Sequence, residues 1–319
     1  MIAFGTGASS FKDKKLLQNG LKEYINLGGT IIDSAEKYNS GIMIKNHIFE
    51  NRQNFYVISK IRPHQYKKSE IHDVILNKIL KELNTEYLDE LVIHSAFEET
   101  YKQDRINCWI EFSKLKDKGI VKNIGLSTFN MEQINNLIKH TNIKPDSLHL
   151  EYNLYKHDEV LYDFCLANDI KMYAFSPLAT RNTSKNDKIL NSNILNNLYF
   201  KYNCNYQQLV FSWLLSKKIT PISASSNKKH LADNFKTFQM DNEDIMVCDM
   251  LQDPINICKY NMKFIEDNII EVNCLIRPDL FETIEKNFPK QLKEGHGAKY
   301  DIPLNTDQTP KLLLNEFIK

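Results

Sequence analysis

The chain has 319 residues, 42% of them hydrophobic and 25% charged, which is enough apolar material for a full core and excludes disorder as the overall state. Forty-one Lys and Arg stand against forty Asp and Glu, and this balance excludes a global field that draws the chain to nucleic acid or to an anionic membrane. The partner expected is a small molecule, neutral or mildly charged.

From Met1 to Lys15 the chain reads as a short apolar strand entering a charged helix, without the basic and apolar regions of an export signal. No later run approaches the roughly eighteen apolar residues of a membrane span, so a cytoplasmic setting is expected. Cys108, Cys165, Cys204, Cys248, Cys258 and Cys274 are scattered without a CxxC pair or a histidine at ligand spacing. They are read as reduced and mostly buried, and no metal is expected.

Short β-branched or aromatic runs then alternate with helical segments, the rhythm of βα units around a parallel sheet. The strands expected are Ile2–Phe4, Thr30–Asp33, Phe55–Ser59, Glu90–His94, Lys122–Ser127, Ser147–Glu151, Lys171–Phe175 and Thr220–Ala224. Between them lie segments such as Ile71, Val74, Ile75, Ile79 and Leu80, apolar at three- and four-residue intervals, with an exit at Leu83-Asn84. Eight such units make a closed barrel. An open doubly wound sheet alternates too, but Gly5-Thr6-Gly7 lacks the third glycine of its fingerprint. The fold class expected is α/β, a (β/α)8 TIM barrel over residues 1–252, close to the roughly 250 residues of that fold. Residues 253–319 form a C-terminal α+β extension: a strand-like run (Ile269, Ile270, Val272, Leu275), a helix-like run from Pro278 to Phe288, and a mixed segment to Pro310. Its role is open, with a lid or a protein partner both allowed. Lone His296 in this tail reads as a solvated loop histidine.

In a barrel the C-terminal strand ends converge on one mouth, where catalysis is placed. Asp33 with Tyr38 just beyond, Lys60, His94, Ser127 with Thr128, His149 and Phe175-Ser176-Pro177 all fall there. A phenol is a poor acid at neutral pH, with a reference value of about 10. The Lys60 ammonium, held charged by Asp33, is expected to lower it and make Tyr38 a usable acid. His94 is expected to polarise a carbonyl oxygen as charge develops on it. Ser127 and Ser176 lie in no GxSxG turn, which weighs against hydrolysis.

Taken singly, each residue has a structural explanation. Asp33 can cap the next turn, Tyr38 can be a packed aromatic, Lys60 a solvated charge before Ile61-Arg62-Pro63, and His94 a satisfied strand-end histidine. Their joint placement on successive strands is what separate structural roles do not predict.

The stretch Gly28-Gly29-Thr30-Ile31-Ile32-Asp33-Ser34-Ala35-Glu36-Lys37-Tyr38 closely resembles the aldo-keto reductase signature. Val57 to Lys60 is similar to that family's lysine strand and Tyr87 to His94 to its histidine strand. Gly119 to Phe129 resembles the segment with the Ser-Asn-Phe motif, and Tyr173 to Leu178 the Ala-Tyr-Ser-Pro-Leu segment. The resemblance spans about residues 1–252. It implies a reduced nicotinamide, NADPH or NADH, delivering hydride to the carbonyl of an aldehyde or ketone, a sugar-derived one included. It also implies a catalytic set of Asp33, Tyr38, Lys60 and His94, with neither metal nor flavin.

The cofactor contacts implied are Asp33, Ser127, Thr128, His149, Phe175, Ser176, Pro177, Leu178, Ser225, His230, Asp233 and Asn234. Thr128 replaces the family's usual asparagine, His149 its glutamine and Phe175 the commoner tyrosine. Ala224 and His230 replace the usual basic pair, which leaves the choice between NADPH and NADH open. Two other readings stand beside this one: a cofactor-binding but non-catalytic sensing or scaffolding subunit, and a hydrolase or lyase forming a Schiff base on Lys60.

Overall fold

A computed structural model describes residues 1–7, 13–179 and 193–251, together with the backbone of two short strands farther on. The chain divides into two compact units, Met1–Cys248 and Asp249–Lys319. In the first, eight parallel strands close into a barrel in sequence order. They are β1 (Ala3–Gly5), β2 (Ile31–Asp33), β3 (Tyr56–Ile61), β4 (Leu88–Ile93), β5 (Val121–Ser127), β6 (Ser147–Glu151), β7 (Lys171–Phe175) and β8 (Thr220–Ser223). All eight expected strands are present. The largest differences are at β3, which runs two residues past the expected end and so includes Lys60, and at β4, which begins two residues before the expected start.

The closure follows from pairing at both edges of the run. β1 pairs with β2 through Phe4 and Ile32, and with β8 through Ala3 and Ile222. A closed sheet leaves no edge strand exposed, and parallel strands require crossover segments outside it. Lys14–Asn26 follows β1, Gly41–Ile48 follows β2, Lys102–Asp117 follows β4 and Met131–Thr141 follows β5. After β3 a continuous helical segment runs from Ile71 to Leu83, with a π-helical stretch at Val74–Leu80 in its middle. It ends at Asn84, whose φ of 52° turns the chain out as the sequence suggested.

Side chains alternate across each strand. Ala3, Ile31, Ile58, Val92, Tyr173 and Ile222 pack together as one buried cluster. Counting by twos from them places Asp33, Lys60, Glu90, His94 and Phe175 on the same inward parity. The barrel interior is thus apolar at one level and polar at the next.

Tyr24, on the first outer helix, ties two strands to it. Its hydroxyl lies 2.8 Å from the Ile2 carbonyl and 2.9 Å from that of Ile31, and accepts from the Ile31 N–H at 3.0 Å. The ring is buried, so these groups have no water to fall back on.

In the second unit, Met262–Ile265 pairs antiparallel with Ile269–Val272. The second strand was expected from the sequence and the first was not. Leu275, the helix-like run from Pro278, and His296 lie outside the described residues. Among the described residues no helix is long and apolar enough to cross a membrane. Cys108, Cys165 and Cys248 are buried and free, and Cys204 is free and half-buried.

Replacing Tyr24 by Phe is expected to destabilise the barrel by about 1–3 kcal/mol, because the Ile31 N–H loses its acceptor in a dry site. Denaturant unfolding of Tyr24→Phe against the parent chain checks this, and a change below about 0.5 kcal/mol would contradict it.

Candidate active site

The loop after β2 is fastened on both sides of Tyr38. The buried Ser34 hydroxyl lies 2.8 Å from that of Ser40, which lies 3.0 Å from the Thr6 hydroxyl. Tyr38 closes a 3-10 turn, Glu36–Tyr38, and Asn39 follows in the left-handed region at φ 51°, a conformation asparagine tolerates. Gly7 lies against the Tyr38 ring, where a Cβ would meet ring carbons at 2.3–2.8 Å. These contacts fix where the phenol points.

A cavity of about 630 Å³ opens at the C-terminal ends of the strands. Asp33, Tyr38, Lys60 and His94 all line it, as do Ser127, Thr128, His149 and Phe175 to Leu178. Ala224 lines it as well. Ser225, His230, Asp233 and Asn234 are not among its described lining residues. They lie on the loop after β8 and on helix Lys228–Asn234. His230 is exposed, Asp233 pairs with Lys236 at 3.0 Å, and Asn234 donates to the Ser223 hydroxyl at 3.2 Å while accepting from Gln207. Of the twelve expected cofactor contacts, eight therefore share one mouth with Tyr38, Lys60 and His94, and Ser225, His230, Asp233 and Asn234 do not.

Lys60 donates to Asp33 and, at 3.1 Å, to the Ser34 carbonyl. Both charged side chains are almost wholly buried. The Tyr38 hydroxyl lies 3.2 Å from His94 Nε2, and the two rings meet edge-on. The Lys60 ammonium is 6.0 Å from the Tyr38 ring centroid.

This geometry corrects the expected direction of the phenol's acidity. Burial first, and the Asp33 carboxylate next, raise Tyr38 above its ordinary value. Arg62 acts in the opposite direction without reversing this. His94 is pushed down to about 2, by burial first and then by Lys60, Lys37, Arg62 and His149. It is therefore a neutral imidazole, with one ring nitrogen as donor and the other as acceptor.

Beneath this set lies a second polar network that sequence reasoning missed. Glu90, on the inward face of β4, accepts from His149 Nε2 at 2.7 Å, from the Tyr56 hydroxyl at 2.8 Å, and from the Ser147 hydroxyl. Burial alone would raise its carboxyl, but the bonds from His149, Ser147 and Tyr56 hold it below the ordinary carboxylate range. Gly125 makes room for it, since a Cβ there would stand 2.2 Å from Ser147 Oγ and 2.9 Å from Glu90 Oε1. His149 stacks on Tyr173 with centroids 4.4 Å apart, and its Nδ1 is 3.9 Å from Asp33. The signal available was parity: Glu90 is two residues before Val92, an inward position. Sequence reasoning also passed over Lys37, Arg62, Ser95 and Phe97, which line the cavity.

Two strand ends carry backbone in the left-handed region, Thr128 at φ 59° and Ser176 at φ 51°. His149 Nδ1 is buried, lines the cavity, and has no hydrogen-bond partner among the described residues. With the Ser127 and Thr128 hydroxyls 3.4 Å apart beside it, this donor and acceptor set fits the carboxamide of a nicotinamide. Phe175 offers a ring face at the same mouth.

The sequence model of the aldo/keto reductase family matches residues 1–253. The chain belongs to that family. The reductase is 27% identical over 254 residues to the NADPH-dependent alpha-keto amide reductase of Saccharomyces cerevisiae, covering 74% of this chain and 81% of that one. It is 28% identical over 275 residues to aldose reductase C of Dictyostelium discoideum, covering 79% and 78%. Among solved structures, an aldo-keto reductase from a Medee basin deep-sea metagenome library superposes with a TM-score of 0.71 at 24% identity, over 79% of this chain and 90% of that one. The Bombyx mori aldo-keto reductase in complex with NADP gives 0.69 at 23%, over 79% and 88%. The family match ends at residue 253.

The depressed His94 value has a sign in stability. The unfolded chain takes up a proton below about 6.5 while the folded chain does not. Stability is therefore lost as pH falls from about 6.5 toward 2, by up to about 1.4 kcal/mol per pH unit. Denaturant unfolding at pH 7 and pH 5 is expected to show a smaller loss in His94→Asn than in the parent, and equal slopes would contradict it. Glu90→Leu leaves His149, Tyr56 and Ser147 facing an apolar side chain and is expected to cost about 3–5 kcal/mol. Adding His149→Leu to it should recover part of that loss, and strict additivity in the double-mutant cycle would argue against the pair.

Proposed function

We propose that this reductase converts the carbonyl of an aldehyde or ketone to an alcohol, with NADPH or NADH as reductant and Tyr38 as proton donor. The observation that carries the reading is the Tyr38 hydroxyl 3.2 Å from a neutral His94, on a cavity that the buried Asp33 and Lys60 pair also lines. Bound, the reduced nicotinamide supplies the hydride. Ser127, Thr128 and His149 are assigned to its carboxamide and Phe175 to its ring face, with Ser176, Pro177 and Leu178 continuing that wall. Asp33 is assigned to the same end through Lys60. Ser225, His230, Asp233 and Asn234 are assigned to the adenosine end. Ala224 brings no cation to the mouth, and His230 has no bidentate fork for a phosphate, which supports use of either cofactor.

Raising the phenol's affinity for its proton suits a donor. Tyr38 stays protonated across the working pH range, and reduction of a carbonyl builds an alkoxide more basic than any phenolate, so the transfer runs downhill. With its proton on Nε2, His94 donates toward the oxygen on which charge develops, and it gains strength because the site is dry. Lys60 stands near the phenolate that Tyr38 leaves behind. Asp33 keeps Lys60 oriented and charged.

Residues 1–252 are assigned this reaction and residues 253–319 the part of an extension. A cytoplasmic setting agrees with the four free thiols of the described residues.

Oxidation of NADPH and of NADH, followed optically with a panel of aldehydes and ketones, tests the reading. Tyr38→Phe is expected to lose about 10²–10⁴ in kcat while cofactor binding, read by fluorescence, persists. The parent's kcat should stay flat from neutral to mildly alkaline pH, because the phenol holds its proton there. Equal turnover in Tyr38→Phe would remove Tyr38 from the role. Cofactor binding without turnover of any carbonyl would favour a sensing or scaffolding subunit.

A further inference from the structure

Three cationic side chains line the cavity, Lys37, Lys60 and Arg62, against one carboxylate among its described residues, Asp33. Asp33 is paired with Lys60, and His94 is neutral. The charge of the lining therefore comes from Lys37 and Arg62. Neither forms an ion pair with any described residue. The nearest acid in sequence, Glu36, is taken by Lys78 on the helical segment after β3.

Both cations sit on fixed backbone. Lys37 lies in the 3-10 turn pinned by the Ser34, Ser40 and Thr6 hydroxyls, with its ammonium 5.6 Å from the Tyr38 ring centroid. Arg62 precedes the buried Pro63, which restricts it to extended conformations, and it is found at φ −100°, ψ 109°. Their charges act on one another. Lys37 is held below its ordinary value by burial first and then by Arg62 and Lys60. Two like charges at one mouth, Lys37 exposed and Arg62 half-buried, are unfavourable until an anion joins them.

We propose that the reductase takes carbonyl substrates that carry an anionic group, a carboxylate or a phosphate, and that Lys37 and Arg62 receive that group. The proposal rests on the reductase reading above. Lys37 follows β2 and Arg62 follows β3, whereas the residues assigned to the nicotinamide ring and to the far end of the cofactor follow β7 and β8. In a closed barrel of eight strands in sequence order, β3 stands across the mouth from β7. The anionic group and the cofactor thus approach from opposite sides, with Tyr38 after β2 and His94 after β4 flanking the end of β3. Phe97 on the lining gives the body of the substrate an apolar wall.

The test compares matched substrates within one protein. Benzaldehyde against 4-carboxybenzaldehyde probes a carboxylate, and glyceraldehyde against its 3-phosphate probes a phosphate. At low salt kcat/KM is expected to favour the anionic member by about tenfold in at least one pair, mainly through KM. The ratio should shrink as salt is added and fall near one in the double variant Lys37→Gln, Arg62→Gln. Arg62→Lys should keep part of it. The pair with the larger ratio identifies the anion. A ratio near one in the parent, or one unchanged in the double variant, overturns the proposal while leaving the reductase reading intact. Weaker NADPH binding in the double variant with an unchanged ratio likewise overturns it and gives the two cations to the cofactor's phosphates. Calorimetric binding of 4-carboxybenzaldehyde in the presence of NADP⁺ separates the two readings. If no aldehyde is reduced but this binding depends on Lys37 and Arg62, the anion site stands and the reductase reading falls; if neither is seen, both fall.

Discussion

Burying the Lys60 ammonium inside a barrel requires a partner, because an isolated charge removed from water is costly enough to lose its proton. Asp33 is that partner, one strand away, and the Ser34 carbonyl completes the shell. Much of the site is set by this requirement. The pair locks the end of β2 against β3, and the Ser34 to Ser40 turn that begins there aims Tyr38. Burial, with Asp33 second, governs the phenol. Asp33 and Lys60 contribute no net charge to the cavity lining, so that its net charge comes from two cations farther out, Lys37 and Arg62.

The barrel holds its polar groups in two linked layers. Asp33, Lys60, Tyr38 and His94 face the mouth, and Glu90, His149, Tyr56 and Ser147 lie beneath. His149 joins them, bonded to Glu90 through Nε2 and turned toward Asp33 through Nδ1. A polar layer inside a barrel is costly unless its members are paired, and Glu90 is the acceptor for three neighbours at once, while His149 Nδ1 and His94 Nδ1 have no hydrogen-bond partner among the described residues. The apolar cluster around Ile58, Val92 and Tyr173 carries the hydrophobic part of the core.

Strand order, the mouth and the set of Asp33, Tyr38, Lys60 and His94 were legible because each depends on short-range pattern: period two within strands and motif residues at strand ends. What was not legible depends on partners distant in sequence. Glu90 acquires its histidine partner only when His149, 59 residues later, closes on it. Tyr38 was read as acidified by Lys60 because sequence gives adjacency without showing which of two neighbours a charge is committed to. Lys37 and Arg62 resemble solvated loop charges in a sequence, and only the shape of the mouth turns them inward. In the tail, Ile269–Val272 announced itself by β-branched residues, whereas its partner Met262–Ile265 has one β-branched residue among four and did not.

Thr128 and Ser176, the first residues after β5 and β7, have left-handed backbone, where side chains with a Cβ, and β-branched ones above all, are disfavoured. Such positions hold conformational energy on the order of 1–3 kcal/mol each, and glycine or asparagine would relax them. The barrel keeps neither at these two points. Both residues line the cavity, so a substitution that relaxed the backbone at either point would also change the surface that a ligand meets.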